Sequence, residues 1–331
     1  MQGGLILCYH RINNDSHSYL QLLGKHFRIE DSEYSRIIPS TKVENFEKQM
    51  QYLSRFYHPV PLEDIVQHIR NGTSPPPKSV AITFDDGYRD NYDNAYPILK
   101  KYGIPATIFL TTGYIDTDEI PWWDKVYYVL SQAKEGEPLS TELPRAKFNE
   151  PFNKKSIKRV IQMLKQLEEK EKKSIIAELT DQRDLKVNDF AEKNLMLSWE
   201  EVREMSNNGI SFGAHTLTHP LLPRVPSDQA RDEIYISKDI IEQQIGKSVN
   251  IFAYPGGDFD VHIEKMVKNA GYFAAVSSIP GYNHSETNIY ALKRNGIRLS
   301  NRIEFFPIFK VEVTGVLGHL MGFYDRIRQF I

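Results

Sequence analysis

The feature that most constrains the fold is the stretch 79–88, in which a short apolar run ends at two adjacent carboxylates. The β-branched and small residues at 80–83 suit a strand that is buried on both faces. Asp85, Asp86 and Gly87 are poor strand residues and good turn residues, so we expect the strand to end there. Two carboxylates at the mouth of a buried strand repel each other and lose hydration, and a bound cation would offset both costs. For this motif alone, the alternative is a polar turn in which an Asp caps the next helix.

Composition excludes several classes of protein. The chain has 331 residues, of which 40% are hydrophobic and 25% charged, and its net charge of −2 gives no global basic field for nucleic acid or an anionic membrane. Its single cysteine, Cys8, lies in an apolar run; it can form no intrachain disulfide and is predicted to be a small core residue. No signal-peptide pattern opens the sequence and no apolar run approaches the ~20 residues of a membrane span, so we expect a cytoplasmic protein.

Strand and helix patterns alternate along the chain. Strands are predicted at 5–9, 80–83, 106–111, 210–215, 249–254, 273–277 and 291–297. Apolar residues three and four apart predict helices at 43–56, 62–69, 91–102 (with a kink or break at Pro97), 195–208, 229–245 and 261–270. Such alternation is typical of parallel sheets, and a glycine-rich dinucleotide-binding motif is absent after the first strand. The sequence therefore predicts an α/β fold: a distorted or incomplete (β/α) barrel of about seven parallel strands.

Two regions do not follow this alternation. Residues 114–194 are predicted to form a helical insertion, in which the apolar stripe of 151–179 lies opposite a face rich in Lys and Glu. This charged face favours packing on the barrel with a solvated outer surface, and membrane-surface or partner binding is the alternative. Residues 305–331 are predicted to form a C-terminal helical tail. The whole chain, 1–331, is interpreted as one barrel domain that contains the insertion.

Polar side chains follow several predicted strands, and the carboxyl ends of parallel barrel strands converge on one site. His215 and His219 are four residues apart, so on a helical turn both imidazoles would face the same way, as metal chelation requires. Two histidines and one carboxylate leave coordination positions open for water and substrate. The polar residues expected at this end are His10, Asp85, Asp86, His215, His219, the segment 254–257 and Arg294.

The motifs at these strand ends resemble those of the polysaccharide deacetylase family, also called NodB-homology or carbohydrate esterase family 4 enzymes. The resemblance covers residues 79–112 and 195–300. Thr83-Phe84-Asp85-Asp86-Gly87 matches the first motif, and His215-Thr216-Leu217-Thr218-His219 matches the second, His-Ser/Thr-x-x-His. Ile251-Phe252-Ala253-Tyr254-Pro255-Gly256 is similar to the third motif, and the opening Tyr9-His10-Arg11 is similar to the subgroup that acts on exopolysaccharide and cell-surface glycans.

The resemblance implies a role for each matched position. Asp86, His215 and His219 would hold a divalent metal ion, with Zn²⁺ expected. Asp85 would be the general base toward the attacking water, and the backbone N–H of Gly256 would help to hold the oxyanion. The implied reaction removes the N-acetyl group of an acetamido sugar in a surface polysaccharide or its precursor, giving a free amine and acetate.

Several positions depart from the family pattern. Ala253 and Gly256 replace the arginine and the aromatic residue of the third motif. Arg294 is the candidate replacement for the arginine that braces the base, and a surface salt bridge is the alternative for it. The family's Leu-x-His motif, which supplies the general acid, is matched literally by Leu317-Gly318-His319, which we interpret as a chance match in the tail. His10 is therefore the better-placed candidate for the acid or for a substrate contact, and a core histidine is its alternative.

Candidate substrate contacts lie near the same strand ends. Tyr254, Pro255 and Gly256 lie at the end of a predicted strand, whereas Trp122 and Trp123 either stack on a sugar ring or form the core of the insertion. The expected partner is an N-acetylated glycan or a sugar-containing precursor.

Two other functions remain open from the sequence. A deacylase or deformylase of a lipid-linked sugar is favoured by the apolar run at 305–309, which would imply peripheral membrane contact. A glycan-binding protein without activity is conceivable from the departures, but it would not need the retained Asp and His residues.

Overall fold

A curled sheet of parallel strands dominates the computed structural model, which describes residues 3–13, 39–131, 133, 156–181, 195–297 and 306–314. Each long strand is an apolar run whose residues are almost all buried, as expected for strands covered on both faces. The strands are β1 Gly4–Tyr9, β2 Arg11–Ile12, β3 Ser40–Thr41, β4 His58–Pro59, β5 Ser79–Phe84, β6 Ala106–Leu110, β7 Ile210–Ala214, β8 Ile251–Ala253, β9 Ala274–Val276, β10 Tyr282–Asn283 and β11 Asn295–Gly296.

The order of the strands in the sheet gives the fold its barrel-like form. Strands β1, β5, β6, β7, β8 and β9 are neighbours in that order, and each pair is parallel. The chain then returns toward β1: Leu292 forms a parallel bridge with Val276 of β9, and β11 pairs in parallel with β1 at Leu7 and Cys8. The segment 292–296 therefore lies between the last and the first strand. This arrangement confirms the predicted distorted (β/α) barrel of about seven parallel strands.

Helices surround the sheet. Most are amphipathic; in the first, the buried residues Phe46, Met50 and Leu53 follow the three-and-four spacing that defines its inner face. The helices are α1 Val43–Phe56, α2 Leu62–Arg70, α3 Tyr96–Tyr102, α4 Trp122–Ser131, α5 Ser156–Leu164, α6 Glu169–Asp181, α7 Trp199–Asn207, α8 Ser227–Ile245, α9 Val261–Asn269 and α10 Phe306–Glu312.

Three predicted elements have different bounds in the structure. The predicted helix 91–102 consists of a π-helical turn, Asn91–Ala95, followed by α3, in whose first turn Pro97 needs no backbone donor. The predicted helix 195–208 begins only at Trp199, because Ser198 and Glu201 form a capping box at that point. The predicted last strand, 291–297, is shortened to β11.

The interior of the barrel contains an apolar cluster and, near the strand ends, polar side chains. Ile6, Ala81 and Phe109 alternate along their strands with residues that face the other surrounding helices. They cluster with the buried face of α2. Thr83 and Arg294 occupy the interior closer to the carboxyl ends, where Nη1 of Arg294 lies 3.3 Å from Oγ1 of Thr83. The apolar packing thus supports a polar layer directly below the candidate site.

The insertion has its own core. Side chains of α4, α5 and α6 form a separate cluster, which reaches the barrel through Tyr88, Leu195 and Met196. Its described parts are helical, and the boundaries 114–194 stay a prediction.

The described part of the predicted tail is α10. Phe309 is fully buried, and the ring of Phe306 lies 5.7 Å from the ring of Tyr52 on α1. The apolar run that favoured a lipid-linked substrate therefore packs on the protein at these two positions. The motif Leu317-Gly318-His319 and the rest of 315–331 lie outside the described residues. Among the helices that the structure describes, none combines the length and the apolar character needed to cross a bilayer.

Candidate functional site

The site begins at the carboxyl end of β5. The backbone N–H of Asp85 donates to the carbonyl of Tyr9 at 3.0 Å, which continues the pairing with β1. Asp86 then adopts a left-handed conformation, with φ of 75°. A non-glycine residue in this region is strained by roughly 1–3 kcal/mol, and such strain concentrates at functional sites. The turn directs the two neighbouring carboxylates toward different partners.

Asp85 forms a bidentate pair with Arg294. The Nη1 and Nη2 atoms of Arg294 donate to Oδ1 and Oδ2 of Asp85 at 2.6 and 2.8 Å. The guanidinium is fixed in turn by donation from Nε to the carbonyl of Ser277 at 2.9 Å. Arg294 is 1% exposed, so the alternative of a surface salt bridge does not describe it. The structure thus places the predicted replacement arginine on the predicted base.

The electrostatic surroundings keep Asp85 ionised. Burial raises its pKa, but the charge of Arg294 and the hydrogen bonds that Arg294 donates outweigh burial and hold the pKa below its ordinary value. A carboxylate that must accept a proton during catalysis is therefore available in its charged form near neutral pH.

Asp86, His215 and His219 form a buried cluster with the composition of a metal site. Their ligand atoms lie within 4.8 Å of one another, and the Nε2 atoms of His215 and His219 lie 3.7 and 3.6 Å from Oδ1 of Asp86. The predicted helical turn between the histidines is wrong, because the backbone turns through left-handed conformations at Thr216 and His219 instead. The two imidazoles nevertheless converge, as the spacing predicts.

The ionisation of this cluster suits a divalent cation. Burial, followed by the charge of Asp85, raises the pKa of Asp86, so this carboxylate lacks a compensating charge. Burial lowers the pKa of both His215 and His219, which favours the neutral imidazoles that ligate metals.

The backbone of β8 selects the tautomer of His215. The Nδ1 atom of His215 lies 2.7 Å from the carbonyl oxygen of Ala253, and because a carbonyl can only accept, Nδ1 carries the proton. The lone pair of Nε2 is then left to face Asp86, as in metal-binding histidines held from behind. One carboxylate and two imidazoles fit a divalent metal, with positions left for water and substrate.

Glu233 is a site residue that the sequence analysis missed. Its Oε2 accepts from the backbone N–H groups of Leu217 and Thr218, at 2.8 Å each, and its Oε1 accepts from the hydroxyl of Thr218 at 2.5 Å. Glu233 is only 4% exposed and fixes the loop that carries the two histidines. The available signal was a glutamate in the apolar stripe of the predicted helix 229–245.

A close backbone approach fixes the same loop from the other side. The N–H of Gly113 donates to the carbonyl of Leu217 at 2.8 Å, and a Cβ atom at this glycine would lie 2.6 Å from that oxygen. Only a residue without a side chain permits this contact without displacing the loop.

Trp123 packs against the metal-site cluster. Its ring centroid lies 4.5 Å from that of His219, and its Nε1 donates to the hydroxyl of Tyr88 at 2.7 Å. Tyr88 in turn donates to Asp124 at 2.6 Å. Trp123 therefore buttresses His219 from the insertion, whereas Trp122 lines a neighbouring groove.

Three other predicted site residues, His10, Tyr254 and Gly256, lie in different surroundings. A ring nitrogen of His10 lies within 4.8 Å of ligand atoms of Cys8 and Asp85, beside the predicted base. Tyr254 is fully buried and its hydroxyl donates to the carbonyl of Tyr290 at 3.0 Å, so its side chain is committed to the core. Gly256 is exposed, with φ of 64°, and its backbone is available to a substrate.

Two solved structures share the fold of this chain. Streptococcus pyogenes deacetylase PplD, in complex with acetate, is 21% identical with a TM-score of 0.57, over 90% of this chain and 93% of that one. IcaB from Ammonifex degensii is 16% identical with the same TM-score of 0.57, over 95% and 97% of the two chains.

Curated relatives match in sequence. The poly-beta-1,6-N-acetyl-D-glucosamine N-deacetylase of Staphylococcus epidermidis is 34% identical over 124 residues, 34% of this chain and 37% of that protein. The Bacillus subtilis protein YxkH is 24% identical over 250 residues, 75% of this chain and 62% of that protein. The chain thus spans less than two thirds of the length of either relative. The family model described as polysaccharide deacetylase matches residues 72–275, which is more than half of the sequence. Together with the barrel and its strand-end motifs, this match shows that the chain belongs to the polysaccharide deacetylase family.

Proposed function

We propose that the protein is a metal-dependent N-deacetylase that acts on an acetamido sugar of a surface polysaccharide or its precursor. The observation that carries the proposal is the ionised Asp85, clamped by Arg294, immediately beside the cluster of Asp86, His215 and His219. The name of the Staphylococcus epidermidis relative, a deacetylase of a poly-N-acetylglucosamine, supports the class of substrate.

Asp86, His215 and His219 are the residues that would hold the metal ion, for which Zn²⁺ fits the donors. When bound, such an ion supplies polarisation of the acetamide carbonyl and a water of lowered pKa.

The side chains around this cluster perform the proton transfers. Asp85 takes the proton of the attacking water, and Arg294 keeps Asp85 deprotonated and fixed in orientation. His10 lies beside Asp85 and is the candidate to donate a proton to the leaving amine. The backbone N–H of Gly256, an exposed residue, is the candidate donor to the carbonyl oxygen as it gains charge.

Acetate release from oligosaccharides of N-acetylglucosamine tests the proposal. In zinc-loaded protein, Asp85→Asn should lower kcat by at least about 100-fold, as expected when a general base is lost, and should keep the zinc content of the wild type. His215→Ala should lose zinc, measured by elemental analysis. An Asp85→Asn variant with full activity would exclude Asp85 as the base, and unchanged zinc in His215→Ala would contradict the assignment of the metal ligands.

A further inference from the structure

The two histidines of the metal-site cluster are fixed in different ways. Nδ1 of His215 is held by the carbonyl of Ala253 at 2.7 Å. The ring of His219 has no such hydrogen bond among the described residues. The backbone of His219 is left-handed, with φ of 60°, and its N–H donates to the hydroxyl of Thr216 at 2.9 Å. The orientation of the His219 ring therefore depends on the side chains that pack against it.

Two aromatic rings pack against His219. The ring centroid of Trp123 lies 4.5 Å from that of His219, with the two planes 59° apart. The ring of His215 lies 4.8 Å away, at an angle of 71°. Trp123 is only 6% exposed, and a close-packed interior leaves such a side chain little freedom to move. Because His215 is itself a candidate ligand, Trp123 is the neighbour that can orient His219 from outside the cluster.

Trp123 is fixed in turn to the loop that carries the third candidate ligand. Its Nε1 donates to the hydroxyl of Tyr88 at 2.7 Å, and this hydroxyl donates to Asp124 at 2.6 Å. Tyr88 is fully buried and lies two residues after Asp86. The indole has a single donor on one edge, so this hydrogen bond fixes the rotation of the ring as well as its position. The side chain of Trp123 thus joins the aspartate loop to the histidine loop.

The start of the insertion also holds the backbone next to His219. The hydroxyl of Tyr114 donates to the carbonyl of Thr218 at 3.2 Å. The ring of Tyr114 lies 6.2 Å from that of Trp123 and is nearly perpendicular to it, at 86°. Tyr114 and Trp123 belong to the predicted insertion, 114–194, whereas both histidines follow β7. The insertion therefore contacts His219 at its ring and at the residue that precedes it.

We propose that Trp123 is a positioning residue for His219, and that the insertion is therefore part of the metal site. The packed indole holds the imidazole in the orientation in which its Nε2 faces Oδ1 of Asp86, with the two atoms 3.6 Å apart. The inference rests on the metal-binding part of the proposed function and extends it to a residue outside the strand-end motifs. A tryptophan that only filled the core of the insertion could be replaced without an effect on the bound metal.

Binding of Co²⁺ to the full-length chain tests the proposal, because the visible absorption of Co²⁺ depends on the geometry of its ligands and that of Zn²⁺ does not. Trp123→Leu keeps an apolar side chain but removes the ring. It should weaken Co²⁺ binding by about 10–100-fold, the range typical of groups behind metal ligands, and change the absorption spectrum at saturating Co²⁺. Trp123→Phe restores a ring next to His219 and should recover most of the affinity and of the wild-type spectrum.

Leu130→Ala is the matched control. Leu130 is fully buried in the same cluster, seven residues farther along α4, so its truncation destabilises the insertion without removing a contact to His219. This variant should bind Co²⁺ with the affinity and the spectrum of the wild type. Trp123→Met makes the same test with a longer side chain if Trp123→Leu does not fold. Wild-type affinity and spectrum in the variant without the ring would overturn the proposal. Equal losses in Leu130→Ala would also overturn it, since general loosening of the insertion would then explain them.

Acetate release, assayed separately in the zinc-loaded wild type, distinguishes this inference from the proposed function. Co²⁺ binding without acetate release from oligosaccharides of N-acetylglucosamine would contradict the proposed function, and the Trp123 variants would still decide the positioning of His219. Acetate release together with wild-type Co²⁺ binding in Trp123→Leu would overturn the inference and leave the proposed function intact. A wild-type chain that binds no Co²⁺ would contradict the candidate metal site and the inference together.

Discussion

At the scale of single residues, the proposed chemistry depends on the pair of Asp85 and Arg294. The two residues are 209 positions apart, yet both side chains are buried and meet in a bidentate geometry. Removal of one member of a buried ion pair leaves an uncompensated charge and typically costs about 3–5 kcal/mol. In the proposed mechanism, Arg294 is thus a positioning residue whose effect on catalysis would pass through Asp85.

Arg294→Met should shift the pH profile of deacetylation. Burial raises the pKa of Asp85, but the charge and hydrogen bonds of Arg294 hold this pKa below its ordinary value, so the proposed base stays deprotonated in the wild type. Without the guanidinium, burial raises the pKa, and the acid limb of kcat/KM should move to higher pH. Arg294→Lys, which keeps the charge but not the bidentate geometry, should show a smaller shift. An acid limb at the wild-type position in Arg294→Met would show that Asp85 is not the titrating base.

The same pair links stability to pH. Because the folded-state pKa of Asp85 lies below its unfolded value of about 3.9, the ion pair stabilises the fold above that pH. This contribution disappears as the pH falls through the folded-state pKa. We therefore expect that a change from about pH 7 to pH 3 lowers the free energy of unfolding more in the wild type than in Arg294→Met. Urea unfolding at the two pH values measures this difference, and equal losses in the two proteins would contradict the linkage.

At the scale of elements, the loop after β7 depends on groups that belong to other elements. Glu233 of α8 accepts three hydrogen bonds from this loop, Gly113 approaches it closely, and Ala253 of β8 orients His215. Groups behind metal ligands commonly change metal affinity by 10–100-fold when they are removed. The candidate metal site is thus held by α8 and β8 as much as by its own loop.

Glu233→Ala should weaken zinc binding by about 10–100-fold, because the N–H groups of Leu217 and Thr218 lose their acceptor and the loop relaxes. Competition with a chromophoric chelator measures the affinity. Asp232→Ala, an exposed carboxylate on the same helix, is the matched control and should bind zinc like the wild type. Equal zinc affinity in the two variants would remove Glu233 from the support of the metal site.

A second element prediction concerns the start of α7. Ser198 accepts from the N–H of Glu201, while Glu201 accepts from the N–H of Ser198, which together form a capping box. Ser198→Ala should lower the free energy of unfolding by about 1 kcal/mol and leave zinc affinity unchanged. Urea unfolding measures the first and chelator competition the second; a wild-type midpoint would mean that the cap contributes nothing measurable.

At the scale of the whole molecule, the barrel brings ligands from separate elements together, so metal binding should stabilise the fold. Zinc at 100 times its Kd should add about 2.7 kcal/mol to the free energy of unfolding and raise Tm, because the unfolded chain holds no such site. Thermal unfolding with and without zinc measures this shift, and His215→Ala should lose most of it. A similar shift in that variant would place the stabilising zinc elsewhere.

The period of the apolar residues predicted much of the architecture. Buried strands and amphipathic helices have local signatures in the sequence. The alternation of strand and helix patterns along 79–112 and 195–277 was therefore sufficient to predict the barrel. The bounds were less accurate where a cap or a π-helical turn set them, as at Ser198 and Asn91. The parts of the insertion and tail that lie outside the described residues stay predictions.

The sequence by itself determined which chemical groups stand at the strand ends: the adjacent Asp85 and Asp86, and two histidines four residues apart. These follow from local spacing, which requires no knowledge of the fold. Only the tertiary structure decided that Arg294 reaches Asp85, that Glu233 supports the histidine loop, and that Trp123 packs against His219. These contacts join residues far apart in the chain, and their distances depend on strand register and side-chain packing, which no local pattern encodes.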